Sequence, residues 1–439
     1  MRENGISGKI SGGIIPYKPI VITEPTTVAA LRRIYENLGR RKPDWDFSTP
    51  DQVKGHDNHL KVRKGALVGL DLHHSTFCIS DLSPFAKLKN LTHLVLQVEE
   101  TSDLSPLLDL AKLTSFELYG VNDLSPLADF TRLIELKVGF NGINNLLPLA
   151  RLKKLAKLTL RFNKISNLSP LANLTKLTEL DLGHNKISDL SPLAGLTKLV
   201  HLELWENKIS DLSPLSRLEK LATLDLRNNK ISDLSPLAGL IKLSGLELQK
   251  NKISDLSPLA NLTELPSLDL SDNKISDLMP LAGLMGNVRL NLSKNIISDL
   301  SPLAGLTKLT CLWLEKNKIA DLAPLANLTK LTCLELDENK ISDLSPLAGL
   351  TKLTCLSLRN NKIRDLSPLA GLTNLETLMI INNKITDVSP LARLEKLESI
   401  YVENCPITDF SSLSHLPKLK VRLNYQTYIR LQPPPIGFS

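Results

Sequence analysis

Five carboxylates recur in the chain at intervals of 22 residues: Asp181, Glu203, Asp225, Glu247 and Asp269. Each stands between two leucines, so in an extended strand it points to the side opposite those leucines. If the five segments are neighbouring strands, adjacent carboxylates lie about 4.8 Å apart. At that distance each adjacent pair repels by roughly 1 kcal/mol in water. Such a row could be a solvated acidic strip, a surface for a basic protein segment, or a site for a divalent cation.

Aromatic residues are rare in this chain, at 4% of the composition, so those at variable positions carry information. Trp313 and Tyr401 occupy the same place between apolar residues as the five carboxylates, and Trp205 lies two residues beyond one of them. These positions point away from the leucines, and exposed Trp, Tyr and Arg are the usual anchors of protein interfaces. The candidate partner-binding residues are therefore Asp181, Glu203, Trp205, Arg227, Asp225, Glu247, Asp269, Trp313, Glu335 and Tyr401.

Three cysteines, Cys311, Cys333 and Cys355, follow the same spacing of 22 residues. On adjacent strands their α-carbons would be close enough for a disulfide, but parallel strands in register orient the side chains poorly for bonding. A structural zinc site requires four ligands, and the sequence offers no convincing fourth. We interpret this row as a product of repeat duplication.

No catalytic motif accompanies these residues. The sequence contains no G-x-x-x-x-G-K-[ST], no H-E-x-x-H and no G-x-S-x-G, which are the patterns of phosphate loops, zinc proteases and serine hydrolases. Histidines and acidic residues are scattered without an evident pairing. We therefore predict that the protein is not an enzyme and that it requires no cofactor or metal.

All of these positions belong to one repeated unit, which occurs thirteen times in register between Leu133 and Lys418. A clear copy, Leu331 to Lys352, reads LTCLELDENKISDLSPLAGLTK. The shared pattern is L-x-x-L-x-L-x-x-N-x-I-x-D-L-x-P-L-x-x-L-x-x, and unit positions are numbered from its first leucine. The five carboxylates are then at position 5 and the three cysteines at position 3. A fixed period of 20 to 29 residues with L-x-x-L-x-L-x-x-N is the signature of leucine-rich repeats.

Each part of the unit predicts a structural element. Leucines at positions 4 and 6 define a short strand with one buried face. Asparagine at position 9 can bond backbone groups where the chain leaves the sheet, so stacked copies should form an asparagine ladder. Serine at position 15 is a favourable N-cap and proline a favourable first helical residue, which predicts a short turn over positions 15 to 20. The predicted fold is an α/β leucine-rich repeat solenoid, with a curved parallel β-sheet on the inner face and short 3₁₀ or helical turns on the convex side.

The run N-x-I-S-D-L-S-P-L-A-x-L-T-x-L resembles the 22-residue repeats of the internalins, which are proteins of bacterial surfaces. It is also similar to the units of an intracellular phosphatase-regulating protein. Near the N-terminus, a predicted helix, a Trp-bearing loop and the strand ALVGLDL resemble the N-terminal cap of plant-type leucine-rich repeat proteins. The resemblance implies a bacterial protein whose repeats are closed by a polar cap.

The predicted organisation has four parts. Residues 1–24 form a loose N-terminal arm, and residues 25–66 form a helical cap whose helix runs from about Val28 and is capped by Thr26. Residues 67–418 form an array of about sixteen units. Residues 419–439 supply a closing strand and a tail.

Charge and hydropathy exclude several classes of protein. Lys and Arg number 53 against 46 Asp and Glu, and the excess lies at the two ends, so the array lacks the basic face of a nucleic-acid-binding surface. The basic run Arg40–Lys42 predicts solvated surface, with an acidic partner as the alternative. No apolar run is long enough to cross a membrane. The first thirty residues show no signal peptide, which predicts a cytoplasmic protein; export by an unrecognised route is the alternative.

These observations predict a monomeric, non-catalytic scaffold that binds a protein partner with the concave face of its solenoid. A partner with a basic segment would fit the row of carboxylates. Two alternatives follow from the resemblance: an internalin-like surface adhesion protein, and a regulatory subunit of an enzyme such as a phosphatase.

Overall fold

The computed structural model describes most of the chain. Its described residues are 20–38, 45–46, 53–55, 60–64, 66–72, 79, 81–99, 103–140, 142–263, 265–284, 286, 288–416, 418–423 and 428–430. The chain folds into two compact units, Met1–Asn141 and Gly142–Ser439. The boundaries after residues 24, 66 and 418 stay predictions, and the basic run Arg40–Lys42 lies outside the described residues.

Among its described residues, the first unit contains one α-helix, α1, which spans Pro25–Asn37. The prediction that Thr26 caps this helix is wrong. Glu24 is the N-cap, and its carboxylate accepts the Thr27 N–H at 2.9 Å. Because Pro25 is the first helical residue and has no N–H to satisfy, the capping side chain must come from the residue before it.

The described strands of the first unit form two sheets. They are β1 (Ile20–Ile22), β2 (Trp45–Asp46), β3 (Val53–Gly55), β4 (Leu60–Arg63), β5 (Ala66–Leu72), β6 (His93–Gln97), β7 (Ser115–Tyr119) and β8 (Glu135–Lys137). Strands β1, β3 and β2 form an antiparallel sheet in that order. Strand β4 pairs antiparallel with β5, and β5 to β8 pair in parallel in chain order. Short 3₁₀ helices follow β5, β6 and β7 at Ser83–Lys87, Ser105–Asp109 and Ser125–Asp129.

The second unit carries one strand per repeat, and successive strands pair in parallel and in register. The strands are β9 (Lys157–Thr159), β10 (Glu179–Asp181), β11 (His201–Glu203), β12 (Thr223–Asp225), β13 (Gly245–Glu247), β14 (Ser267–Asp269), β15 (Arg289–Asn291), β16 (Cys311–Trp313), β17 (Cys333–Glu335), β18 (Cys355–Ser357), β19 (Thr377–Met379), β20 (Ser399–Tyr401), β21 (Lys420–Arg422) and β22 (Tyr428–Arg430). The last strand, β22, pairs antiparallel with β21. The fold of this unit is the predicted leucine-rich repeat solenoid.

A 3₁₀ helix follows every strand from β8 to β20. In the second unit these helices are Leu147–Arg151, Ser169–Leu171, Ser191–Leu193, Ser213–Leu215, Ser235–Leu237, Ser257–Leu259, Met279–Leu281, Ser301–Leu303, Ala323–Leu325, Ser345–Leu347, Ser367–Gly371, Ser389–Arg393 and Ser411–Leu413. Most cover positions 15 to 17 alone, which is shorter than the predicted span.

The cap of these helices differs from the prediction. Serine at position 15 makes no side-chain cap; instead the Ser345 N–H donates to Asp343 Oδ1 at 2.8 Å. The aspartate at position 13 therefore satisfies the first free N–H of the turn, as short polar side chains commonly do two residues ahead of a turn. A hydrogen bond from the Ser345 hydroxyl, together with this backbone hydrogen bond, lowers the pKa of Asp343.

The core of the second unit is a stack of leucines and isoleucines. In a typical 22-residue repeat, the seven apolar side chains of the consensus are at most 1% exposed: Leu331, Leu334, Leu336, Ile341, Leu344, Leu347 and Leu350. This confirms that the leucines at positions 4 and 6 face the core, so position 5 faces the opposite side of the sheet.

The predicted asparagine ladder is present. Asn229 Nδ2 donates to the carbonyl oxygens of Leu204 and Leu226 at 2.9 and 3.0 Å, and its Oδ1 accepts the Ile209 N–H at 3.0 Å. Each ladder asparagine thus joins its own unit to the preceding one. In the last repeat Cys405 replaces the asparagine, and its thiol lies 3.0 Å from the Ile380 carbonyl oxygen.

Position 8, just before the ladder asparagine, has a left-handed backbone in every unit from Phe162 to Asn404. The conformation turns the position-8 N–H toward the next unit; for example, the His184 N–H donates to the Trp205 carbonyl at 2.7 Å. Residues other than Gly, Asn and Asp adopt this conformation at a cost of about 1 kcal/mol or more. Lys250, with φ of 58°, is one of those residues.

Candidate protein-binding face

The five predicted carboxylates form one row on the face of the sheet opposite the leucine core. Asp181 pairs in register with Glu203, which pairs with Asp225, and the series continues through Glu247 to Asp269. Asn291, Trp313 and Glu335 extend the same line of position-5 residues on the next three strands. We call Asp181, Glu203, Asp225, Glu247 and Asp269 the carboxylate row.

The aspartates of the carboxylate row turn back onto their own strands. Asp181 accepts the Gly183 N–H at 3.0 Å, Asp225 that of Arg227 at 3.1 Å, and Asp269 that of Ser271 at 2.9 Å. The side chains of Asp181 and Asp225 are 15% and 14% exposed. The glutamates are one methylene longer, and Glu203 is exposed to solvent. The row therefore contains aspartates bound to the backbone and one glutamate, Glu203, that projects from it.

Burial changes the acidity of this row. It raises the pKa of Asp181 to about 6, against the opposing hydrogen bond from the Gly183 N–H. Burial likewise raises the pKa of Asp225 and Glu247, and neighbouring carboxylates add to the rise in each case. Packing carboxylates side by side in a partly desolvated row favours their neutral forms. A cation placed along the row would restore the ionised forms.

Two arginines of the chain already contact the row. Arg227 forms an ion pair of 3.1 Å with Asp225, and Arg161 Nε lies 4.0 Å from Asp181. Sequence reasoning did not identify Arg161.

Aromatic side chains cluster at one end of the row. The ring of Phe162 lies 4.8 Å from that of His184 and 5.2 Å from that of Trp205, edge to face. Arg227 lies over the Trp205 ring, with its Cζ 5.4 Å from the ring centre. The Trp205 Nε1–H donates to Glu203 at 3.3 Å. Sequence reasoning selected Trp205 and Arg227 and missed His184, whose place at position 8 beside Phe162 was the available signal.

An open cavity of about 210 Å³ lies at the other end of the row. It is lined by Glu247, Ser267, Leu268, Asp269, Arg289, Asn291 and Trp313. Asn291 Nδ2 donates to Asp269 Oδ2 at 3.1 Å, so the two side chains form a continuous polar floor. The sequence predicted Trp313, Glu247 and Asp269 as binding residues, and the structure brings these three together.

The remaining candidates, Glu335 and Tyr401, lie farther along the same face. Burial raises the pKa of Glu335, and a hydrogen bond with the Trp313 side chain opposes that rise. Arg422 lies over the Tyr401 ring, with its Cζ 5.4 Å from the centre. Tyr401 is on β20, four strands beyond Trp313 on β16, so these two aromatic residues form separate sites.

The three cysteines are neighbours in register, Cys311 beside Cys333 and Cys333 beside Cys355, and all three are free thiols. A hydrogen bond with Cys355 and burial raise the pKa of the Cys333 thiol. Among the described residues, no group of three or more His, Cys, Asp or Glu side chains has the geometry to hold a metal ion. Nor does any described helix have the length and apolar character needed to cross a membrane.

The stacked strands, buried leucines and asparagine ladder define a leucine-rich repeat protein. A family model described as "Leucine Rich repeats (2 copies)" matches residues 153–195, 197–239, 288–327, 329–371 and 373–415. The solved structure of internalin InlF from Listeria monocytogenes is 39% identical, with a TM-score of 0.65 over 67% of this chain and 87% of that chain. The chain belongs to the bacterial internalin-like leucine-rich repeat family.

Two further solved structures are similar. A leucine-rich repeat protein of Leptospira interrogans is 28% identical, with a TM-score of 0.74 over 83% of this chain and 96% of that chain. The functional domain of InlJ from Listeria monocytogenes, which includes a cysteine ladder, is 25% identical, with a TM-score of 0.65 over 80% of this chain and 72% of that chain. No curated protein matches the sequence.

Proposed function

We propose that this protein is a non-catalytic scaffold that binds a protein partner across strands β10 to β16, with a basic segment of the partner along the carboxylate row. The observation that carries the proposal is the register of that row. Five acidic residues on five successive strands face away from the core, beside an aromatic cluster at one end and a cavity at the other. Proteins of this repeat class commonly bind other proteins.

Electrostatics supports a basic partner over a neutral one. Burial raises the pKa of Asp181, Asp225 and Glu247, and repulsion from neighbouring carboxylates adds to the rise. A basic segment would relieve the repulsion and attract the partner over a long range, because complementary charge acts mainly on the association rate. The aromatic cluster around Trp205 would then supply apolar contact, since buried aromatics dominate interface energetics.

The test begins with the full chain as bait in the lysate of the producing organism, followed by association kinetics with the captured protein. The variant Asp181→Asn/Glu203→Gln/Asp225→Asn removes three charges from the row. Asparagine at position 5 can keep the backbone hydrogen bond, as Asn291 does with the Ser293 N–H at 3.1 Å. We expect slower association and a weaker dependence of the association rate on salt.

A matched control removes the same charge elsewhere. Asp189, Asp211 and Asp233 occupy position 13, where each caps a 3₁₀ helix. Asparagine also serves at that position, because Asn167 Oδ1 accepts the Ser169 N–H at 2.9 Å. The triple Asp→Asn control should associate as the wild type does. Equal effects of the two triple variants, or no effect of either, would contradict the proposal.

The family resemblance favours a second candidate function, adhesion at the bacterial surface. Location distinguishes the two. We propose a cytoplasmic scaffold, for which fractionation of the producing cells should recover the protein with the cytosol. Recovery from the culture medium or the cell wall would favour the adhesion protein. A regulatory subunit would instead be captured together with an enzyme whose activity the scaffold changes.

A further inference from the structure

The cavity beside Trp313 has a simple origin in the repeat sequence. Two short side chains leave space on strands β14 and β15, Ser267 at position 3 of β14 and Asn291 at position 5 of β15, beside the long Arg289 at position 3 of β15. Their neighbours carry long ones, Glu247 on β13 and Trp313 on β16. Because the strands are in register, Ser267 and Asn291 lie between the longer Glu247 and Trp313 side chains, and a space remains above the two short residues. The volume of about 210 Å³ is below the range of drug-sized ligand pockets and suits a single side chain.

The lining of the cavity suits a cation. Two carboxylates, those of Glu247 and Asp269, contribute to it, and the Trp313 indole forms one wall. Among the described residues, the ion pairs of the carboxylate row involve Asp181 and Asp225, and none joins Glu247 or Asp269. Negative charge beside an aromatic face is the combination that binds a guanidinium, through hydrogen bonds at its edge and a cation–π contact at its face.

The same arrangement is already filled elsewhere on this face by the chain itself. Arg227 lies over the Trp205 ring at 5.4 Å while its guanidinium pairs with Asp225 at 3.1 Å. Arg422 lies over the Tyr401 ring at the same distance. In the described part of the chain no arginine or lysine lies over Trp313. Of the three aromatic candidates on this face, Trp313 is thus the one that still has room for a cation.

We propose that the cavity receives one arginine side chain of the bound protein, with the guanidinium over the Trp313 indole and its N–H groups donating to Glu247 and Asp269. This inference rests on the proposed function and specifies what the partner must offer. Arginine is preferred to lysine because its planar group can stack on the ring and donate to two carboxylates at once. Arg289 also lines the cavity, at its position-3 end, so the charged lining residues, two carboxylates and one guanidinium, carry a net formal charge of −1.

The tryptophan content allows a direct test. The chain has three tryptophans, so full-length protein labelled with 5-fluorotryptophan gives three fluorine resonances, which Trp→Phe variants assign. The probes are N-acetyl-L-arginine amide and N-acetyl-L-citrulline amide, which share a shape and differ in charge. We expect the Trp313 resonance to shift saturably with the arginine probe, in roughly the millimolar range for so small a ligand.

Three comparisons make the test specific. The citrulline probe should bind at least about tenfold more weakly, because charge-assisted hydrogen bonds are stronger than neutral ones. The Trp205 resonance should remain unchanged, because Arg227 already covers that ring. The variant Glu247→Gln/Asp269→Asn should also weaken the arginine probe about tenfold, while the amide that replaces the Asp269 carboxylate can keep the bond from the Ser271 N–H.

The outcomes separate this inference from the proposed function. If the Trp313 resonance fails to shift, or shifts equally with the citrulline probe, the arginine site is refuted. In that case, slower partner association of the Asp181, Glu203 and Asp225 variant would still support the scaffold proposal. If the arginine probe binds but that variant associates as the wild type does, the scaffold proposal fails, and with it the assignment of the arginine to a partner. With a captured partner, Trp313→Ala should speed dissociation at least about fivefold, and an unchanged rate would refute the site.

Discussion

Gly183 lies directly beneath the indole of Trp205. A Cβ atom at Gly183 would stand 2.1 Å from Trp205 Cε2 and 2.3 Å from Nε1, far inside contact distance. The indole can therefore rest on the face of the sheet, next to Phe162 and under Arg227, because the residue one unit earlier at its own position 7 has no side chain. The position of the Trp205 indole thus depends on a residue without a Cβ atom, Gly183, which stands 22 residues earlier in the sequence.

This relationship predicts that Gly183→Ala displaces the Trp205 ring. Overpacking at a well-packed site costs about 1 to 3 kcal/mol, so the variant should unfold at a lower urea concentration, and the Trp205 fluorescence should shift to longer wavelength. Gly239→Ala is the matched control, because nothing lies within 4 Å of a Cβ at Gly239. Equal stabilities of the two variants would show that the indole does not rest on Gly183.

A second prediction concerns the asparagine ladder. Asn229→Ala removes the acceptor of the Ile209 N–H and the donor to two carbonyl oxygens. Buried backbone groups left unpaired cost about 1 to 3 kcal/mol each, so the variant should lose at least about 3 kcal/mol of unfolding free energy, measured by urea denaturation. Asn173→Ala, at an exposed position, should change stability by less than about 0.5 kcal/mol. A loss of similar size in both variants would contradict the role of the ladder.

A third prediction concerns pH. The pKa of Asp181 is raised to about 6 by burial, so between about pH 4 and pH 6 the native state holds a proton that the unfolded chain releases. Stability from this group therefore falls as the pH rises through that window. Asp181→Asn removes the effect and can keep the Gly183 hydrogen bond. Relative to the wild type, the variant should gain stability on the order of 2 kcal/mol between pH 4 and pH 7, measured by urea denaturation across the pH range.

The control for this prediction is Asp189→Asn, whose stability relative to the wild type should change with pH in the opposite direction. Hydrogen bonds from the Ser191 backbone and hydroxyl lower the pKa of Asp189, so its ionisation contributes stability that is present at neutral pH and is lost as the pH falls through that lowered value. Relative to the wild type, Asp189→Asn should lose stability as the pH rises. Parallel pH profiles for the Asp181 and Asp189 variants would show that the row is not desolvated.

A fourth prediction uses the left-handed backbone at position 8. Lys250 adopts φ of 58°, a conformation that asparagine tolerates better than lysine. Asn228 and Asn360 hold the same position with φ of 57° and 55°. Lys250→Asn should therefore stabilise the protein by about 0.5 to 1 kcal/mol. Lys252→Asn removes the same charge two residues later, at an exposed position, and should not stabilise the protein. An increase in stability of both variants would show that the loss of positive charge, and not the backbone conformation, causes the stabilisation.

A fifth prediction ranks three changes on and beneath the carboxylate row. Leu246→Ala should cost about 2 to 5 kcal/mol, because Leu246 is 1% exposed in the core. Asp225→Ala should cost about 1 kcal/mol through loss of the bond from the Arg227 N–H. Glu203→Ala should cost less than about 0.5 kcal/mol, because Glu203 projects into solvent. Urea denaturation of the three variants measures this order, and a reversal would mean that the two faces of the sheet are assigned wrongly.

The sequence by itself determined which residues occupy the same repeat position and therefore form one column across the stacked strands. The period of 22 residues, combined with alternation along each short strand, assigns Leu334 to the core and Glu335 to the opposite face without any coordinates. The same spacing placed Asp181 to Asp269 in one row and predicted the asparagine ladder. These features follow from the regular backbone, which repeats identically in every unit.

The tertiary structure decided what each side chain does within its column. The sequence could not show that Asp225 folds back onto the Arg227 N–H whereas Glu203 projects outward, because one methylene decides whether the carboxylate reaches that N–H. Nor could it show that the capping group is Asp343 rather than Ser345. The cavity beside Trp313 depends on side-chain sizes on four adjacent strands, which lie 22 residues apart in sequence but in contact in space. Period and alternation determine the backbone; packing between neighbouring units determines the surface that a partner would meet.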